Sequence, residues 1–318
     1  MERINFAQIK KEVPHSVISI NSNDVQFSNP QTSADLLLNS GSVFVQKSQL
    51  GGGSPMIRGF STNRLLITID GVRLNNAIFR SGNVQNIISI DPFNVEKTEV
   101  ILGSGSVIYG SDAIGGVMNF YTTTPKLSNT LQPNLTSRST IRYSSANNEK
   151  TAHLDFNLGF RKWGFHSSVS VSDFGDLKMG KYGPEDYLSS YYSEPLNGQD
   201  MMTPNTTPRI QKFTNFNQIH LAQKVIYKLS NNIQFDFGLH YSTTSDYPRY
   251  DRLAILSDDG ALKYAEWNYG PQEWLMANSQ MTKHSSSSSF YDKLKISTAY
   301  QNFKESRINR RFNTDTRK

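Results

Sequence analysis

The sequence predicts a small α+β domain followed by long antiparallel strands that each carry one apolar and one polar face. Three observations predict it. Residues 1–125 hold short apolar runs broken by Gly, Asp-Gly and Asn-Asn, whereas residues 136–318 hold long stretches that alternate with period two. Between them, residues 126–135 carry Pro133 among Ser, Asn and Thr, directly after Pro125, and read as a linker. Finally, only 36% of the 318 residues are hydrophobic, against a usual share of about 45–50%, while 15 Tyr and 18 Phe raise the aromatics to 11%. Few aliphatic runs with many aromatic and hydroxyl residues suit a sheet that is apolar on one face only.

In the first region, Ser33-Ala34-Asp35-Leu36-Leu37-Leu38 reads as a short helix, with Thr32 or Ser33 as N-cap and Gly41 beyond its end. Val43–Val45 and Met56–Arg58 are candidate strands around the Gly51-Gly52-Gly53 turn. Leu65–Ile69, then Asp70-Gly71, then Val72–Leu74 signals a hairpin, because both central residues of a type I′ turn need positive φ. Val95–Leu102 and Gly115–Tyr121 complete a small mixed sheet.

The second region alternates more strictly. Leu154, Phe156, Leu158 and Phe160 interleave with His153, Asp155, Asn157 and Gly159. Phe165, Val169 and Val171 oppose His166, Ser168, Ser170 and Ser172. Further runs lie at Ile219–Leu229, Ile233–Tyr241 and Leu294–Tyr300, with a weaker one around Ile141 and Tyr143, giving about six strands. Asn147–Lys150, Arg161–Gly164 and Ser230–Asn232 are short connections, while 175–215 and 246–289 read as long polar loops. Short turns on one side and long loops on the other suit an outer-membrane barrel. A soluble β-sandwich also alternates, although its strands average five or six residues where several of these reach about ten.

Composition excludes other classes. The net charge of +6 is scattered rather than gathered on one face, so no nucleic-acid partner is expected. There is no cysteine, hence no disulfide, thiolate nucleophile or Cys-ligated metal. No run approaches the roughly 18 apolar residues of a membrane-spanning helix. Met1-Glu2-Arg3 opens a polar stretch without the apolar core of a signal peptide, and the expectation is that the true N-terminus lies upstream.

The ordered segments Asn29–Leu37, Val45–Pro55, Met56-Ile57-Arg58-Gly59-Phe60, Asn63–Arg73 and Val95–Asn119 resemble the plug domain of TonB-dependent outer-membrane receptors, in the version common in Bacteroidetes. The resemblance is dense over about residues 13–125 and architectural beyond. It implies a plug seated in a 22-stranded barrel, of which this chain carries the first strands, in the bacterial outer membrane. It further implies energy-coupled uptake of a scarce nutrient, with the TonB complex, outer-membrane lipid and an extracellular ligand as partners. The plug is closer to those of haem and iron-chelate receptors than to the glycan-import type, so the expected cargo is an iron chelate or haem. A glycan or cobalamin importer of the same family and a soluble β-rich binding protein are the alternatives. By the same resemblance Arg58, with Glu96 or Glu99 and Arg73, is expected to lock plug to wall. No TonB box is recognisable at the N-terminus.

No catalytic constellation is expected. Gly103-Ser104-Gly105 is followed by Gly110, two residues too late for a dinucleotide fingerprint, and Gly51-Gly52-Gly53-Ser54 lacks the ending of a phosphate loop. The six histidines show no ligand spacing, so neither metal nor resident cofactor is expected; His153, His166, His220 and His240 share the polar side of their strands. Aromatics in the two long stretches, Tyr182, Tyr191, Tyr192, Tyr250, Trp267 and Trp274, are the candidate ligand contacts, since such rings stack on glycans, siderophores or haem, or else pack the loops together.

Overall fold

The computed structural model describes residues 15–47, 49–74, 87–285 and 291–318. The N-terminal export signals sought at Met1–Pro14 lie outside these residues. The described residues begin with β1 (Ser16–Asn21), α1 (Ser22–Ser28) and α2 (Ser33–Asn39). Thr32 caps α2 as expected, in a reciprocal capping box with Asp35. The unexpected α1 uses the same device, with Asn21 and Asp24. A small hairpin, β2 (Phe44–Gln46) and β3 (Ser54–Met56), flanks the Gly51-Gly52-Gly53 loop. There follow β4 (Leu65–Ile69), β5 (Val72–Arg73), β6 (Val95–Leu102), the one-turn helix α3 (Ser106–Tyr109) and β7 (Gly116–Thr122). The β4–β5 turn has positive φ at Asp70 and Gly71, as a type I′ turn requires. These strands form a mixed sheet of order β1-β6-β7-β4-β5, in which only β4 and β7 run parallel. Its core is aliphatic, with Ile57, Ile67, Val100 and Met118 fully buried.

The wall is built from β8 (Asn134–Ser144), β9 (Glu149–Gly159) and β10 (Trp163–Phe174). An outer connection then carries β11 (Leu177–Lys178), β12 (Tyr191–Leu196), β13 (Gln199–Pro204) and β14 (Ile210–Gln211). The wall resumes with β15 (Phe216–Lys228), β16 (Ile233–Thr244) and the short β17 (Tyr247–Pro248), followed by the helical turn α4 (Tyr250–Leu253). Two very long strands, β18 (Tyr264–His284) and β19 (Lys293–Arg311), end the chain. Consecutive long strands pair antiparallel.

Burial is inverted relative to a soluble sheet. On β9, Glu149, Thr151, His153, Asp155 and Asn157 are buried while Leu154 and Phe156 are exposed. On β10 the buried set is His166, Ser168, Ser170 and Ser172, and Val171 faces out. β15 and β16 repeat the pattern, burying Gln218, His220, His240 and Ser242 while Ile219, Leu221, Phe237 and Leu239 are exposed. A polar face turned to the protein interior and an apolar face turned outward is the arrangement of a strand wall with lipid outside. A soluble sandwich turns its strands the other way, so that alternative fails.

The expected loop 246–289 is corrected: β18 occupies nearly half of it, and its last part (286–289) lies outside the described residues. The reason is a phase change. Trp267 and Tyr269 are buried on one parity, whereas Gln272, Trp274 and Met276 are buried on the other. A register shift between Tyr269 and Gln272 inserts the change at Gly270-Pro271, so no single period runs through the segment.

Candidate functional site

The plug sits against the inner face of the wall through a polar seam. Its centre is the plug segment Ile87–Asn94, two short 3₁₀ turns of which the second is capped by Asp91. Gln218 donates to the carbonyl of Ile88 (2.8 Å), Ser170 to Asp91 Oδ2 (2.7 Å) and Arg138 to the carbonyl of Phe93 (2.8 Å). His166 Nε2 lies 3.2 Å from Asn94 Oδ1. His153 bridges Ser170 (2.7 Å) and Asp155 (2.8 Å), and its ring stacks on Phe93 with centroids 4.9 Å apart. The four histidines expected on the polar side thus line this seam, and among the described residues no group of three metal-ligating side chains occurs.

Two ionic ties flank the seam. Arg142 on β8 and Glu149 on β9 form a fully buried pair (2.6 Å), with side chains 6% and 0% exposed. Arg142 also donates to the carbonyl of Pro30 (2.8 Å) and to Asn29 Oδ1 (3.2 Å), and Gln31 hydrogen-bonds Glu149 and Asn147. The pair therefore grips the α1–α2 junction of the plug. At the other tie, Asp70 in the β4–β5 turn faces Lys224 (3.2 Å) and His240 (3.6 Å) from the wall. Thr122 donates to Asp70 through its amide (2.9 Å) and hydroxyl (2.6 Å), and Lys224 donates to the Thr122 hydroxyl (2.9 Å). Burial alone would push the Asp70 carboxyl up, but Lys224, His240 and Thr122 outweigh it and hold the group well below the usual carboxylate range.

A cavity of about 230 Å³ opens where the apical Gly52-Gly53-Ser54 loop of the plug meets the wall. Lys47 and Gln49 line it from the plug, Tyr247, Arg249, Asp251 and Tyr269 from the wall. Gly51 packs so closely on Tyr247 that a Cβ there would stand 2.8 Å from the Tyr247 Cβ. Arg249 donates to Asp251 (Nε–Oδ1, 2.8 Å) and to the Tyr269 hydroxyl (3.3 Å). Burial opposes its charge, yet Asp251 and Tyr269 raise the guanidinium above its ordinary value.

Three of the four residues expected to lock plug to wall find other partners. Arg73 pairs with Asp112 (2.8 Å) inside the plug, and only its backbone carbonyl meets the wall, accepting from Gln301 (2.7 Å). Glu96 accepts from the amide of Thr124 (2.9 Å) and so holds the start of the linker. Glu99 is buried within the plug, bound to Lys97 (2.8 Å) and the Tyr121 hydroxyl (3.1 Å). Arg58 is exposed with φ 48°, and among the described residues no carboxylate pairs with it. Against the wall described, the plug is tied by Lys224 to Asp70 and by hydrogen bonds between Asn29, Pro30 and Gln31 and the Arg142–Glu149 pair. A sequence signal for it existed: Arg138 and Arg142 share one parity of β8, opposite Ile141 and Tyr143.

The aromatic candidates divide. Tyr182 and Tyr191 are exposed; Tyr192, edge-on to Phe213 (5.6 Å), and Tyr250 line one small internal gap with Tyr191, so these three pack the loops together. Trp267 and Trp274 are not loop residues. Both are buried on β18, Trp274 stacked on His240 (6.0 Å) and bonded to Gln301 (3.2 Å). A strand whose wide inner face meets the plug buries its largest rings there.

Comparison with known proteins agrees with this architecture. The profile described as TonB-dependent Receptor Plug Domain matches residues 9–117. The vitamin B12 transporter BtuB of Vibrio vulnificus strain CMCP6 is 37% identical over 128 residues, which is 39% of this chain and 20% of that protein. The chain thus spans about a fifth of the length of this curated relative. Among solved structures, the FrpB iron transporter of Neisseria meningitidis superposes with a TM-score of 0.67 at 15% identity, covering 92% of this chain and 41% of that one. The Serratia marcescens hemophore receptor HasR, in complex with its hemophore HasA and heme, gives 0.66 at 15% identity, covering 94% and 40%. With a plug profile over its first third and a wall that superposes on receptor barrels, the chain carries a TonB-dependent receptor plug domain at residues 9–117, followed by strands with the fold of the receptor barrel.

Proposed function

We propose that the protein acts in the bacterial outer membrane as a TonB-dependent importer of an iron chelate or haem, with the plug gating the barrel. The observation that carries this reading is the polar-in, apolar-out wall closed by a hydrogen-bonded plug, with a cavity on the outer side where plug apex and outer loops meet. The seam is made of many individually modest bonds rather than one apolar core, which suits a plug that must shift under force. Nothing in the seam or the cavity calls for catalysis, and the relatives are transport receptors. Structural neighbours titled as an iron transporter and a heme-bound hemophore receptor support the iron reading. A cobalamin importer is the second reading, favoured by the 37% identity to a vitamin B12 transporter.

The test is accumulation of labelled ferric chelates, haem and cobalamin by cells producing the protein, with TonB present or deleted. TonB-dependent accumulation of a ferric chelate or haem is expected. Accumulation of cobalamin alone selects the second reading, and no TonB-dependent accumulation of any of the three sinks both.

A further inference from the structure

One aromatic ring of the plug is seated in the wall. Pro92 presets the backbone of the 91–94 turn, and the Phe93 amide donates to Asp91 Oδ1 (3.0 Å), so the ring projects from a fixed base. It stacks on His153 at an interplanar angle of 17°, and the Arg142 guanidinium stands 4.9 Å from the ring centroid. Arg138 donates to the carbonyl of the same residue. Each of these wall groups is held by a wall neighbour in turn. Ser170 and Asp155 fix His153, Glu149 fixes Arg142 and Asp155 fixes Arg138 (2.8 Å). The socket is therefore preorganised, and the ring gains stacking and cation–π contacts without ordering loose side chains.

Space beside the turn is uneven. On the β8 side a cavity of about 240 Å³ lies between Val25 and Pro30 of the plug, Phe93 and Val95 of the seam, and Arg138 and Thr140 of the wall. On the β15–β16 side, between Asp91, Asn94, His220 and His240, the gap is about 20 Å³, room for about one water molecule. The larger space falls short of the roughly 300 Å³ at which sites for drug-sized ligands begin, so it must widen before a cargo can pass. Phe93 is the largest apolar side chain around it. A stacked ring forfeits a quarter to a half of its dispersion contact over a gap of about 0.5–1 Å, so this seal releases over a short movement of the turn.

We infer that Phe93 is the gate residue on the β8 side of the plug. With the ring in its socket the cavity ends at the 91–94 turn. With the ring withdrawn the cavity opens along β8 and cargo passes there, while the β15–β16 side stays shut. This rests on the receptor reading above and adds the side on which the plug yields and the residue that holds it.

The 318 residues contain no cysteine, so an introduced thiol reports its own surroundings, with the parent protein as blank. Val25→Cys places a thiol in the cavity lining and Ser242→Cys one on the inner face of β16; both positions are buried. In cells producing the protein from its own gene but lacking TonB, both thiols should react slowly with a bulky, water-soluble maleimide. Adding Phe93→Ala should speed the reaction at Val25→Cys about tenfold and leave Ser242→Cys unchanged, while Phe93→Tyr, which keeps the ring, should leave both protected. In cells with TonB, whichever of a ferric tris-catecholate, haem or cobalamin the cells accumulate should speed the reaction at Val25→Cys alone. Faster reaction at both thiols means that Phe93 holds the whole plug rather than gating one side. No change at either means that the ring seals nothing, and each of these outcomes overturns the inference. Absence of TonB-dependent accumulation of all three probes removes the receptor reading, while the Phe93→Ala comparison still decides the seal.

Discussion

Arg142 and Glu149 show how much a single buried pair can carry at a domain junction. Both side chains are almost wholly out of water, and the arginine also serves the Pro30 carbonyl and Asn29. Removing one partner strands the other charge, so Arg142→Ala should destabilise the folded protein by about 3–5 kcal/mol. Denaturant unfolding measures this, and a change under about 1 kcal/mol would mean that water reaches the pair. Asp70 makes a pH prediction. Its folded pKa lies below the unfolded value of about 3.9, so its tie to Lys224 and Thr122 is fully present at neutral pH. That contribution is lost as the pH falls below about 4 toward the folded value. Asp70→Asn should therefore lower the melting temperature at pH 7 and flatten its decline in acid; an unchanged acid slope would locate the sensitivity elsewhere.

Among the elements, those with local chemistry were legible in the sequence. The Thr32–Asp35 box, the Asp70-Gly71 turn and the period-two runs on β9, β10, β15 and β16 each needed only neighbours to be read. β18 was not, because its two halves bury opposite parities around Gly270-Pro271. The ties between Asp70 and Lys224 and between Pro30 and Arg142 were not either. They join residues more than a hundred positions apart, and no local pattern says which plug turn meets which wall strand. Glycine at close approaches makes an element-scale prediction. The linker crosses the inner face of β9 so tightly that a Cβ on Gly159 would collide with the Lys126 carbonyl, where Asn157 bonds both the amide and the carbonyl of Lys126. Gly159→Ala should cost about 1–3 kcal/mol and expose residues 126–133 to protease. Equal cleavage rates in variant and parent would show that the linker yields freely.

At the scale of the whole molecule, the apolar outer face is an environment statement. Leu154, Val169 and Leu221 stand side by side on β9, β10 and β15, all pointing away from the plug. Near the turns after β9 and β15 the rings of Trp163, Tyr227, Phe165 and Phe235 stack along the same face, with Trp163 and Tyr227 4.2 Å apart. Amphipathic rings prefer the water–lipid boundary, which puts these turns at one interface and the Leu154 row nearer mid-depth. Leu221→Arg should destabilise the protein in bilayers by about 2–4 kcal/mol. The same variant in detergent micelles should be nearly silent, and an equal cost in both media would place this face against protein.

The plug sheet has a mechanical consequence. Among the described residues β1 is an edge strand of six residues that pairs with β6 alone, whereas β4 and β7 lie inside the sheet. Tension entering at Ser16 therefore meets one row of hydrogen bonds first, and that row can yield while the Asp70 and Arg142 ties still hold the remainder in place. The domain is graded like a tear strip, weak where a pull from the N-terminal side begins and strong where it is tied to the wall.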